Sequence, residues 1–118
     1  SINQFVGIDF RSQTPSVLRN IEGVEIRCEN NNPINNNIGI SLNNVSNVNV
    51  LGVNIIGGDK SIYSKTSRNI NINGCMFASD LLFDDIDGLS LNGNYITSLT
   101  LLNSPKIETI TLGLITIN

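Results

Sequence analysis

The chain has 118 residues, a net charge of −3 and only 14% charged side chains, with no basic cluster to hold nucleic acid or an anionic membrane surface. Its 40% apolar content is mainly aliphatic: eighteen isoleucines stand against 5% aromatic residues, and twenty asparagines carry much of the polar surface. Cys28 and Cys75 are the only cysteines and histidine is absent, which excludes the common zinc sites and a histidine-based nucleophilic triad.

In chain order, "FVGIDF" (5–10) alternates apolar and polar residues and predicts a first strand. "RSQTPS" and "ENNNPINNN" (29–37) bury too little to pack and predict exposed loops. Between them, "LRNIEGVEIRC" (18–28) is the first copy of a repeated phrase. Three further copies align without a gap over seventeen residues each: "GISLNNVSNVNVLGVNI" (39–55), "SIYSKTSRNININGCMF" (61–77) and "DLLFDDIDGLSLNGNYI" (80–96). A degenerate copy starts at Ser98. The alternating pair at its heart is read as Val24/Ile26, Val48/Val50, Ile70/Ile72 and Leu89/Leu91, at steps of 24, 22 and 19 residues. In the last copy Lys106 falls where a bend is expected, and Ile110/Leu112 is the alternative pair.

Period 2 within each copy predicts strands and leaves no amphipathic helix. A step near twenty residues with two or three short strands predicts stacked repeats, each burying its apolar face on the next. Just ahead of the pair stand Gly23, Asn47, Asn69 and Gly88, the residue types that enter the left-handed region cheaply, so positive φ is expected at all four. A second small column reads Cys28, Gly52, Gly74 and Gly93. Two cysteines two repeats apart would lie about 10 Å from one another along the stack, too far for a disulfide. No apolar run approaches the ~20 residues of a membrane span, and no secretory leader opens the chain at Ser1. One domain over 1–118, regular over about 18–96 and cut from a longer chain, is the expected organisation.

These repeats, the Asn/Gly bend and the Ile/Val/Asn composition resemble the right-handed parallel β-helices of the pectate-lyase-like type. Within that group the Asn-rich, sparsely charged style is most similar to virus tail-spike and tail-fibre modules. The resemblance implies an all-β, right-handed parallel β-helix of about five turns. It also implies a homotrimer, a place in a virion tail assembled in a reducing host cytoplasm, and outer grooves that bind or depolymerise bacterial surface polysaccharide. A secreted polysaccharide lyase or glycoside hydrolase and a passive bacterial surface repeat are the other functions open to such a chain. No cofactor is expected.

The copies also nominate site residues. Asp84, Asp85 and Asp87 are the densest acidic cluster, open to a catalytic reading, to weak calcium binding or to a solvated rim; Glu22, Glu25 and Glu29 are a second, less isolated group. The columns Arg19/Asn43/Lys65/Asp84 and Glu22/Ser46/Arg68/Asp87 place Lys65 beside Asp84 and Arg68 beside Asp87, as surface ion pairs. The column Glu25/Asn49/Asn71/Ser90 lies between inward residues and predicts an outward polar ladder, able to bond sugar hydroxyls or simply to be solvated. Tyr63 and Tyr95 are outward or at corners, available for sugar stacking or for packing on neighbours. Glycan binding is therefore assigned to Asn49, Asn71 and Tyr63. Leu51, Leu82 and Leu102 point away from the core and predict an interface between copies.

Overall fold

The computed structural model describes residues 6–11, 19–28, 37–106, 110–112 and 115–117. The described residues are all-β, and every strand pairing among them is parallel. The strands run β1 (Val6–Arg11), β2 (Arg19–Glu22), β3 (Glu25–Cys28), β4 (Ile38–Asn43), β5 (Ser46–Leu51) and β6 (Asn54–Gly57). They continue as β7 (Lys60–Asn73), β8 (Met76–Phe77), β9 (Asp80–Asn92), β10 (Asn94–Ile96), β11 (Leu99–Leu102), β12 (Ile110–Leu112) and β13 (Ile115–Ile117).

These strands fall into three ranks. β1, β4, the first part of β7, the first part of β9 and β11 form one. β2, β5, the later parts of β7 and β9, and β12 form the second. Because β7 and β9 run through both ranks, the two make one eight-stranded sheet, while β3, β6, β8, β10 and β13 make a separate five-stranded sheet.

Alternation puts every second side chain of a rank inside. Ile8, Ile40, Ile62, Leu81 and Leu99 lie in one register, and Ile21, Val50, Ile72, Leu91 and Leu112 in another. Ile26, Ile55 and Phe77 form a third from the five-stranded sheet. Ile40, Ile62, Leu81, Val50, Ile72, Leu91 and Ile55 are fully buried. Burial of each such side chain stabilises by ~1.5–3 kcal/mol, and like residues stacked at the ~4.8 Å strand spacing pack without voids. Ser64 is the odd member of its column: it lies between Leu42 and Phe83, fully buried, with its hydroxyl unbonded.

The register of the first repeat differs from the expectation. Arg19/Ile21, and not Val24/Ile26, lie opposite Val48/Val50. Gly23 therefore aligns with Gly52, Gly74 and Gly93 rather than with Asn47, while Cys28 faces Gly57. The physical reason is that each repeat contains two alternating strands separated by a glycine corner, so a five-residue slip lays one strand on the other with little loss of pattern. At the far end Ile110 and Leu112 are the true partners of Leu89 and Leu91, which leaves Lys106 outside the bend column.

The bends are left-handed. Positive φ occurs at all four expected positions, Gly23 (63°), Asn47 (61°), Asn69 (56°) and Gly88 (86°). A further bend, not anticipated, recurs at Asn44 (55°), Thr66 (53°), Asp85 (57°) and Asn103 (49°). At this bend and at the glycine corner the following N–H turns to a side chain, since a buried N–H must find an acceptor. The next repeat supplies one: Val45 N–H donates to Ser67 Oγ (3.4 Å) and Ile86 N–H to Ser104 Oγ (3.1 Å). At the glycine corner Val53 N–H donates to Cys75 Sγ (3.3 Å), and Cys75 N–H to Asn94 Oδ1 (2.9 Å).

Two measurements test this account of the corners. Ser67→Ala removes the acceptor of Val45 N–H and is expected to cost ~1–3 kcal/mol in urea unfolding, the range for an unsatisfied buried donor. Thr66→Asn relieves a β-branched side chain held at positive φ and is expected to stabilise by ~1 kcal/mol.

Candidate functional site

The second rank presents an amide ladder outward. Between the inward residues Val48 and Val50, Asn49 points away from the core, as Asn71 does between Ile70 and Ile72. Asn71 Nδ2 donates to Asn49 Oδ1 (3.2 Å), and Asn49 Nδ2 donates to Asn20 Oδ1 (2.9 Å). Ser90 is the next residue in register. The ladder's first member is Asn20 and not Glu25, which instead sits on β3 opposite Asn54 and holds Arg27 (3.2 Å). A second amide contact runs alongside, Asn69 Nδ2 to Asn47 Oδ1 (3.2 Å). Each amide has two donors and an oxygen with two lone pairs. Along the ladder Asn49 spends one donor and one acceptor, Asn20 one acceptor and Asn71 one donor, so each keeps hydrogen-bonding capacity.

Tyr63 lies on the first rank, separated from Asn71 along β7 by the bends at Thr66 and Asn69. The structure does not place it in the ladder. It is half-buried between Ser41 and Leu82, and it lines a groove of about 240 Å³ with Ser41, Leu42, Asn43 and Lys65. Alternation puts Tyr63 and Lys65 on the same outward face.

The acids are spread among other partners. Asp84 faces Lys65 across the sheet, yet its Oδ1 accepts from Asn103 Nδ2 (2.9 Å). Asp87 faces Arg68, and its ion pair comes from Lys106 (3.1 Å). The register neighbours expected from the sequence are therefore right, but the two ion pairs expected between them are not made. The heads of these columns also shift: Arg11, not Arg19, precedes Asn43, and Glu22 lies opposite Leu51, not Ser46. Asp85 sits at a left-handed bend, exposed, beside a small cleft of about 140 Å³ with Thr66, Arg68, Asp87 and Lys106. Glu29 lies outside the described residues.

Of the three leucines expected to be outward, Leu102 is exposed while Leu51 and Leu82 are half-buried. The larger apolar surface is on the five-stranded sheet, where Met76 (53% exposed) and Tyr95 (37%) lie in register. With Asn54, Ile56, Ala78 and Thr97 they border a groove of about 380 Å³. The signal for it was present in the sequence: Met76 and Tyr95 each follow a corner glycine by two positions.

Cys28 and Cys75 are both buried and unpaired. Cys28 is inward; Cys75 stands at the corner after Gly74 and also points inside, where its thiol joins the Val53 contact. No protein-family model, curated protein or solved structure matches the chain.

Burial pushes the Cys28 thiol up from 9.0, with the Asp59 carboxylate adding to the effect, and burial likewise raises Cys75. A thiol that holds its proton more tightly when folded contributes stability that is complete below the unfolded value and is lost as pH rises through the folded one. The urea midpoint is therefore expected to fall above about pH 9. The fall should be smaller in a Cys28→Ser/Cys75→Ser variant measured over the same range.

Proposed function

We propose that the three ranks wind as one right-handed parallel β-helix of about five turns, a structural and recognition module that holds polysaccharide on its outer face without cleaving it. Support for the winding comes from chain order: β4, β5 and β6 are followed by the two parts of β7 and by β8, then by the two parts of β9 and by β10, each on its counterpart. The observation that carries the function is the Asn20–Asn49–Asn71 ladder. Its three side chains are fixed by one another before any ligand arrives, which lowers the ordering cost of binding. Sugar hydroxyls both donate and accept, as primary amides do, so a row of amides suits a hydroxylated polymer.

Hydrolysis of a glycosidic bond ordinarily uses two carboxylates held ~5–9.5 Å apart across the bond. Asp9, Glu22, Glu25, Asp80, Asp84 and Asp87 each face a non-acidic residue in register. That distribution favours holding over cutting. Resemblance to tail-spike and tail-fibre modules extends the proposal to a homotrimer contacting bacterial surface polysaccharide. Two unpaired buried thiols fit assembly in a reducing cytoplasm, and the exposed Met76, Tyr95 and Leu102 offer apolar surface for association.

The test is a binding and turnover screen against capsule and O-antigen polysaccharides, with mass measured by light scattering. Binding without release of reducing ends is expected, together with a trimeric mass. Asn49→Ala/Asn71→Ala should weaken binding about tenfold or more, the loss of one to two hydrogen bonds. Turnover abolished by Asp84→Ala or Asp87→Ala would make the chain an enzyme, and a stable monomer would remove the assembly.

A further inference from the structure

We infer that Asn92 is a site of spontaneous modification, its side-chain amide lost to attack by the backbone nitrogen of Gly93, while the stack suppresses the same reaction at Asn73. The sequence has two Asn–Gly dipeptides, Asn73–Gly74 and Asn92–Gly93, and both fall at the glycine corner, with φ of 65° at Gly74 and 69° at Gly93. Glycine favours the reaction most, because no Cβ crowds its nitrogen and its backbone is the freest to bring that nitrogen to the asparagine side chain.

Water is the one co-reactant. The Gly93 nitrogen bonds to Cγ of Asn92 as the C–N bond of the side-chain amide breaks, and the backbone proton leaves with the amide nitrogen as ammonia. Water then opens the resulting succinimide at either carbonyl, giving aspartate or its β-linked isomer. Each product puts a negative charge where a neutral amide stood. That charge appears two residues beyond Ser90 on the same side of β9, beside the end of the amide ladder.

The two dipeptides differ in what holds the attacking nitrogen. At each earlier corner the glycine N–H donates to a carbonyl of the next repeat: Gly23 to Leu51 O (3.0 Å), Gly52 to Asn73 O (3.0 Å) and Gly74 to Asn92 O (3.1 Å). Among the described residues the Gly93 N–H has no such acceptor. A bonded nitrogen must give up its acceptor before it can attack, so the corner that completes the backbone at Gly74 also protects Asn73. Strand pairing acts in the same direction. Asn73 is held in register between Leu51 and Asn92, whereas the described pairing of β9 with β12 stops at Leu91. The Asn92 side chain is exposed and that of Asn73 half-buried. A Cβ placed on Gly93 would meet nothing closer than Gly74 N at 3.8 Å, so the corner leaves room for the ring to close.

The experiment incubates the intact chain at mildly alkaline pH, folded and in guanidinium chloride. Conversion at each asparagine is followed by peptide mass spectrometry, and the β-linked product by isoaspartyl methyltransferase labelling. In denaturant the two dipeptides should convert at similar rates. In the folded protein Asn92 should lead Asn73 by about fivefold or more, the factor that one backbone hydrogen bond supplies. Asn92→Gln, which would have to close a larger ring, should remove most of the isoaspartate label and leave Asn73 as slow as before. Equal rates in the folded protein, a lead by Asn73, or a label that survives Asn92→Gln overturns the inference. So does an Asn92 that stays intact when folded over the time in which the unfolded chain converts.

Discussion

The N–H that follows the left-handed residue at Asn44, Asp85, Gly52 and Gly74 finds its acceptor on a side chain of the next repeat, and much of the architecture follows from that. A chain that turns between parallel ranks within one or two residues uses positive φ, and at these four places the next donor points to a side chain instead of the strand ladder. Hydroxyl, thiol or amide side chains of the following repeat receive it, at Ser67, Ser104, Cys75 and Asn94. Each acceptor is bonded in turn: Ser67 Oγ reaches Lys65 O (3.1 Å) and Asn94 Nδ2 reaches Ile72 O (2.9 Å). One repeat therefore completes the backbone of the one before it. A single repeat would leave those donors to water and its aliphatic face uncovered, so hydrogen bonding as well as burial couples each repeat to the next.

Charge reinforces the register set by the hydrophobic pattern. An aliphatic column tolerates a shift of one repeat element for another, because Ile, Leu and Val are close in volume and shape. β7 carries Lys60, Lys65 and Arg68 and no acid, whereas β9 carries Asp80, Asp84, Asp85 and Asp87 and no base. In register these give Lys60 opposite Asp80, Lys65 opposite Asp84 and Arg68 opposite Asp87. A shift by two residues would break the Lys60 and Lys65 matches and would also put inward residues of β7 opposite outward ones of β9, because the two bends space the inward positions unevenly. Individually such exposed charges contribute ~0–1 kcal/mol; they add to a register that the unevenly spaced core already favours.

Much of this was legible in the residues, and the failures share one origin. Strand type, parallel stacking, the Asn47 and Asn69 bends and the outward Asn49 and Asn71 follow from period 2 and from a residue type recurring at one position. The first repeat slipped because the run at 29–36 stretches the step from Asn20 to Asn49 to 29 residues, and because Gly23 marks a corner without saying which. That slip hid Asn20 and promoted Glu25. The bend at Asn44, Thr66, Asp85 and Asn103 was hidden for a different reason: three of its members are of a type enriched at positive φ, but Thr66 opposes it and breaks the column. At Thr66 the stack around it, not local preference, fixes the backbone.

The same stacking that fixes the fold decides what its surface can do. Outward side chains are held at strand spacing in straight columns, so the unit of function is a column rather than a loop. A column of asparagines bonds to itself and becomes a fixed row of donors and acceptors, with half the capacity of its middle member, Asn49, spent on its neighbours. A column that mixes Lys65 with Asn43 and Asp84 becomes a gradient of charge, with the acid drawn toward Asn103 and the cation left beside Tyr63. The bends at Thr66 and Asn69 keep these two columns on separate facets. A flexible ligand that used both would have to cross the corner between them, whereas a polymer running along the stack would stay on one column. Ligand recognition on such a surface is set by the order of residues along the columns, and the substitution of one rung changes one contact while the backbone that presents the others stays in place.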